Sequence, residues 1–85
     1  MSAQAQNPFE IAKRAQKVAR LVEQIDHELV ARGWDPHRDA ARVVTTLRGW
    51  TDARWAEIAV LAAVCPPSAV SRARVVSTYE RRACS

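Results

Sequence analysis

The chain has 85 residues, 48% of them apolar and 26% charged, with two glycines, four prolines and a formal net charge of +4. That length allows one domain, and a domain so small buries only about 60% of the surface its unfolded chain exposes. The composition excludes a low-complexity chain, and no apolar run approaches the ~20 residues of a membrane span.

Residues 1–6 carry no pattern and are expected to form a disordered tail, with residues 7–85 as a single helical domain. The first residues also lack the charged and apolar regions of a secretory signal, so a cytoplasmic protein without membrane contact is expected. Asn7, Pro8 and Glu10 read as a helix start: a cap, a first-turn proline and the acid of a capping box. The first helix should run to Arg32. Its apolar residues Ile11, Ala15, Val18, Val22, Ile25 and Leu29 alternate steps of four and three, a heptad stripe that suits one face of a bundle.

Gly33 should end this helix as a left-handed cap, with Trp34 folding back on Leu29. Asp35 and Pro36 open a second helix that reaches Leu47 or Arg48 and buries Ala40, Val43, Val44 and Leu47. The β-branched run from Val43 to Thr46 disfavours a helix, yet no second strand is present for it to pair with. Gly49, Trp50 and Thr51 repeat the pattern of Gly33, Trp34 and Asp35: a glycine stop, an aromatic plug and a new cap. Trp50 and Trp55 hold the positions of a hydrophobic staple. The third helix should run from Asp52 to Val64. Residues 58–65 are apolar all round, which implies a central helix or an interface.

Pro66 and Pro67 end it, and Ser68 can cap a fourth helix reaching Arg82. Ala69, Ala73, Val76 and Ala83 form its expected inner stripe, flanked by Val70, Val75 and Tyr79. The fold class is thus all-α: a compact four-helix domain with the third helix central and a helix-turn-helix-like pair formed by the last two helices.

Positive charge is concentrated at the end of the chain. Residues 66–85 carry Arg72, Arg74, Arg81 and Arg82 against Glu80 alone, while residues 34–65 are balanced. A clustered positive charge attracts phosphate or acidic protein surfaces; a solvated helix end complementing the helix dipole gives the same pattern. Lys13, Arg14, Lys17 and Arg20 form a second basic patch in the first half of the first helix, ahead of Glu23, Asp26 and Glu28. This order opposes the dipole, so phosphate contact is one reading. Pairing of Glu10 with Arg14 and of Arg20 with Glu23 is the other.

The run from Glu57 to Val64, followed by Ser68, Ala69, Val70, Ser71 and Arg72, resembles the helix-turn-helix of bacterial repressors of the lac repressor type over about 20 residues. Ala59 stands at the family's small contact residue, Ala63 at its turn glycine and Val64 at its apolar plug. The resemblance implies a fourth helix entering the major groove of duplex DNA. Ser68, Ala69, Ser71 and Arg72 would then face base edges, and Arg74, Arg81 and Arg82 would lie nearer phosphates. A small DNA-binding regulator of transcription or recombination, acting as a homodimer, follows from it. A bundle corner gives the same layout. The alternative expectation is a helical interaction or inhibitor module, phage-encoded, that docks on a protein partner.

Nothing points to catalysis. His27 and His37 stand apart from any nucleophile, and no phosphate-cradling glycine loop or paired carboxylate cluster occurs. Cys65 and Cys84 form no CxxC and keep no zinc spacing with the histidines. Free thiols, no metal and no cofactor are expected. Trp34, Trp50 and Trp55 fit core plugs at helix junctions better than base-stacking platforms.

Overall fold

The computed structural model describes residues 8–85; the expected tail and the Asn7 cap lie outside the described residues. Four helices follow in order: α1 (Pro8–Ala31), α2 (Ala40–Arg48), α3 (Asp52–Leu61) and α4 (Ala69–Ala83). Pro8 occupies the first helical position, where a missing N–H costs nothing. At the other end Gly33 takes φ +85°, and the Trp34 N–H donates to the Leu29 carbonyl at 2.9 Å. This is the expected left-handed cap, which turns Trp34 onto the core.

Two aspartates build the next junction. The Asp35 carboxylate accepts from the backbone N–H groups of His37 at 2.8 Å and Arg38 at 3.0 Å, and the Asp39 carboxylate accepts from the Asp35 N–H at 2.9 Å. The hydrogen bonds from Arg38 and His37 hold the Asp35 carboxyl below its ordinary range. Residues 36–39 are thereby fixed as a turn, and α2 starts at Ala40 rather than at Pro36. Within α2, the hydroxyls of Thr45 and Thr46 donate to the carbonyls of Ala41 and Arg42. The β-branched run thus sits in a helix, and all four expected core residues of α2 are buried.

Gly49 differs from Gly33. Its φ of −92° is open to any residue, so it ends α2 without using glycine's freedom. Thr51 then caps α3 by accepting from the Arg54 N–H at 3.2 Å, and the Trp50 and Trp55 rings meet edge-on with centroids 5.0 Å apart, the expected staple. The helix stops at Leu61, three residues before the expected Val64. Ala63 takes φ +58°, and the Val64 N–H donates to the Ala59 carbonyl at 3.0 Å. This repeats the Gly33 cap with an alanine in the left-handed position.

Ser68 caps α4 by accepting from the Ser71 N–H. The buried stripe of α4 is Ser71, Val75 and Tyr79, while the expected inner residues Ala69, Ala73 and Ala83 are exposed. Two interactions explain the rotation. The Ser68 hydroxyl donates to that of Ser71, so a serine can be buried with a partner. The Tyr79 ring is fully buried, and its hydroxyl donates to the Asp26 carboxylate and reaches the Val22 carbonyl at 3.3 Å.

The closely packed pairs are α4 with α2, α4 with α1, and α1 with α3; α3 with α4 and α1 with α2 are not among them for the described residues. The centre of the fold is therefore α4. The expected central helix, α3, leaves Val60 76% and Leu61 58% exposed. With α1 as its one closely packed partner among the described residues, α3 is covered on one side only, whereas Tyr79 gives α4 a larger payload to bury. Only the second half of the α1 stripe is covered: Val22, Ile25 and Leu29 are buried, Val18 is half-buried, and Ile11 and Ala15 are exposed. No described helix is long and apolar enough to cross a membrane.

Candidate nucleic-acid interface

Helices α1 and α4 run side by side in the same direction. Near their C-terminal ends the Arg82 guanidinium grips Asp26 with two hydrogen bonds, of 3.0 and 3.2 Å, next to Tyr79. Those hydrogen bonds hold Arg82 charged, against the opposing pull of burial. Burial first, and the Asp26 carboxylate second, raise the Tyr79 phenol above its ordinary pKa. This anchor fixes where the open halves of the two helices lie.

Clefts open beside the two helices towards their N-terminal ends. Glu10, Lys13, Arg14 and Lys17 of α1 line a cleft with Cys65, Ser68 and Ser71. On the outer side, Ala15 and Val18 floor a groove walled by Arg74, Thr78 and Arg81 of α4. The two basic patches, read separately from the sequence, therefore sit on either side of the same helix pair.

The acids hold a different set of cations. Arg82 pairs with Asp26, Arg54 with Glu28 and Glu57, Arg72 with Asp52, and Arg48 with Glu80. Burial lowers the Arg54 pKa, but hydrogen bonds to the two glutamates more than offset it. By contrast, Lys13, Arg14, Lys17, Arg20, Arg74 and Arg81 form no ion pair with a described residue; the Lys13 ammonium lies over the Phe9 ring at 5.3 Å. Glu10 does not pair with Arg14, nor Glu23 with Arg20, so that reading of the α1 charges does not describe the structure. These two clefts are left with a surplus of positive charge, whereas the neighbouring groove between the same helices holds Glu23 and Asp26 against Arg82.

The residues expected to face base edges are placed differently. Ser68 is exposed, with its hydroxyl occupied in capping, and Ala69 is exposed. Ser71 is 3% exposed and does not reach the outer surface of α4. Arg72 is half-buried: its guanidinium hydrogen-bonds Asp52 at 2.6 Å, lies 5.8 Å from the Trp55 ring centroid, and has a buried Nε without a partner. Of the three residues expected nearer phosphates, Arg74 and Arg81 are exposed and Arg82 is committed to Asp26.

Sequence reasoning missed Asp52 as the partner of Arg72 and the cleft that joins α1 to Ser68. No local spacing signals a contact 20 residues apart. Among the described residues, no group of three or more His, Cys, Asp or Glu could hold a metal ion, and Cys65 and Cys84 are free and exposed. Comparison with family models, curated proteins and solved structures gives no match.

Proposed function

We propose that the protein is a small DNA-binding regulator that contacts the duplex backbone through α1 and α4. One observation carries this reading. Lys13, Arg14, Lys17, Arg74 and Arg81 lack an acid partner among the described residues and line the clefts between these two helices. Such cations release condensed counterions from DNA and supply affinity without reading sequence. The positive φ of Ala63, at the position of the repressor family's turn glycine, supports the turn of a helix-turn-helix, although α3 and α4 do not pack closely on each other as the helices of that unit do. The engagement of Ser71 and Arg72 within the fold argues for phosphate contact over base readout by the first turn of α4. Two copies would double the phosphate contacts, which is why a homodimer belongs to this proposal.

The test is fluorescence anisotropy of a labelled mixed-sequence duplex at about 50 and 200 mM salt. Binding at low salt should weaken steeply at the higher concentration. Lys13→Ala with Lys17→Ala, or Arg74→Ala with Arg81→Ala, should each reduce both the affinity and its salt dependence.

A second reading is a helical module that docks on a protein partner. It is favoured by the exposure of Val60, Leu61 and Val70 around the α3–α4 junction, with Phe9 and Ile11 exposed on α1. A duplex that does not bind at low salt would move the assignment to this reading.

A further inference from the structure

We propose that the cavity between α1 and α2 is a binding site for a small monocyclic aromatic acid. The two helices are not a closely packed pair, and Trp34 and Trp50, at the two ends of α2, bridge the gap between them. What remains is a semi-enclosed space of about 160 Å³. An apolar cavity of about 150 Å³ accommodates one benzene ring. Its floor is aliphatic: Leu29 of α1, and Val43 and Leu47 of α2, are all at least nine-tenths buried.

The walls are aromatic and braced. The Arg42 guanidinium lies 4.2 Å from the Trp34 ring centroid, and that of Arg54 lies 4.9 Å from the Trp50 centroid. Trp50 is further held edge-on by Trp55. These contacts hold both indoles at the cavity wall. A planar ring between them would gain aromatic contact on top of apolar burial.

The mouth sets the charge of the guest. Glu28, Arg32 and Arg54 surround it. Arg54 is shared between Glu57, at 3.2 Å and outside the lining, and Glu28, at 2.7 Å. Arg32 reaches the same carboxylate only at 4.0 Å, and its side chain is 65% exposed. Among the lining residues two arginines face one glutamate, so the rim carries an excess positive charge, and the exposed Arg32 can turn to an anionic substituent in the charge-assisted geometry that guanidinium offers a carboxylate. None of the cations assigned to DNA contact takes part, so this site stands independently of the nucleic-acid reading.

Intrinsic tryptophan fluorescence and thermal melting test it, with benzoate, benzyl alcohol and benzylamine as probes against the full chain. Benzoate should quench the tryptophans saturably and raise the melting temperature, binding roughly tenfold more tightly than benzyl alcohol. Arg32→Gln, at an exposed position, should bring benzoate down to the level of the alcohol and leave the alcohol unchanged. Thr46→Phe, which fills the cavity from its exposed rim, should abolish both responses. Absence of a saturable response to all three probes would overturn the proposal. So would equal binding of benzylamine and benzoate, or benzoate binding untouched by both substitutions.

Discussion

Replacing Ala63 by glycine should stabilise the protein, although it removes a methyl group and adds no contact. Ala63 closes α3 at φ +58°, where an L-residue brings its Cβ against the following carbonyl. That placement costs ~1–2 kcal/mol relative to glycine. Glycine adds conformational freedom to the unfolded chain, which takes back ~0.4–1 kcal/mol. Ala63 is exposed, so its methyl contributes little by burial. At mid-range the net gain is ~0.8 kcal/mol, which for a domain of this size raises Tm by roughly 3–6 °C. The mirror experiment uses the other left-handed cap. Gly33→Ala at φ +85° would meet no atom within 4 Å, so its cost is purely conformational and should be ~1 kcal/mol. Gly49→Ala is the control, because its φ is ordinary and a Cβ there would sit 3.5 Å from the Thr46 carbonyl, in normal contact. Urea and thermal unfolding of the three variants give the comparison. If Ala63→Gly is neutral or destabilising while Gly33→Ala destabilises, the α3–α4 turn does not have the described backbone, and the reasoning fails.

Tyr79→Phe should cost ~1.5–3 kcal/mol, since it deletes a buried hydrogen bond to an ionised carboxylate; a loss below ~0.5 kcal/mol in urea unfolding would mean the hydroxyl is not bound as described. The same residue sets an alkaline limit. Its folded-state pKa is raised, so the unfolded chain ionises first, at about pH 10. Stability should therefore be unaffected by this group below about pH 10, and fall above it by up to ~1.4 kcal/mol per pH unit. Tyr79→Phe should lack that component, and because the chain has one tyrosine, tyrosinate absorbance follows this group alone. Arg72→Ala should lower stability by ~0.5–1.5 kcal/mol, through loss of its contacts with exposed Asp52 and buried Trp55. It should leave the salt dependence of DNA binding unchanged, and a reduced salt slope would return Arg72 to the DNA surface.

The local chemistry of several helix ends was legible in the sequence, though not the start of α2 or the end of α3. Gly33 with Trp34, Thr51 with Trp50 and Trp55, and Ser68 each carry a stop or cap whose mechanism lies within six residues, and each is found where expected. The same is true of the α2 core. The facing of α4 was not legible, because Ser71 is polar and an inward serine makes sense only once its Ser68 partner is known. Nor was the division of the arginines between structure and surface. Arg72 and Arg74 both read as DNA contacts in sequence, but Asp52 and Trp55, distant along the chain, capture one and leave the other exposed. The central role of α4 was hidden for a related reason: its alanines suggested the inner face, while Tyr79 supplies the packing. Long-range side-chain pairing decided the last two, and periodicity within one helix carries no information about it.

The salt dependence of duplex binding tests the functional account most directly. Five phosphate contacts, from Lys13, Arg14, Lys17, Arg74 and Arg81, should weaken binding roughly 500-fold between about 50 and 200 mM salt. Removing Arg74 and Arg81 together should lower the slope by about two contacts and leave the melting temperature intact. A duplex that fails to bind at low salt, or binds with a slope indifferent to these substitutions, would contradict the assignment of this surface to nucleic acid.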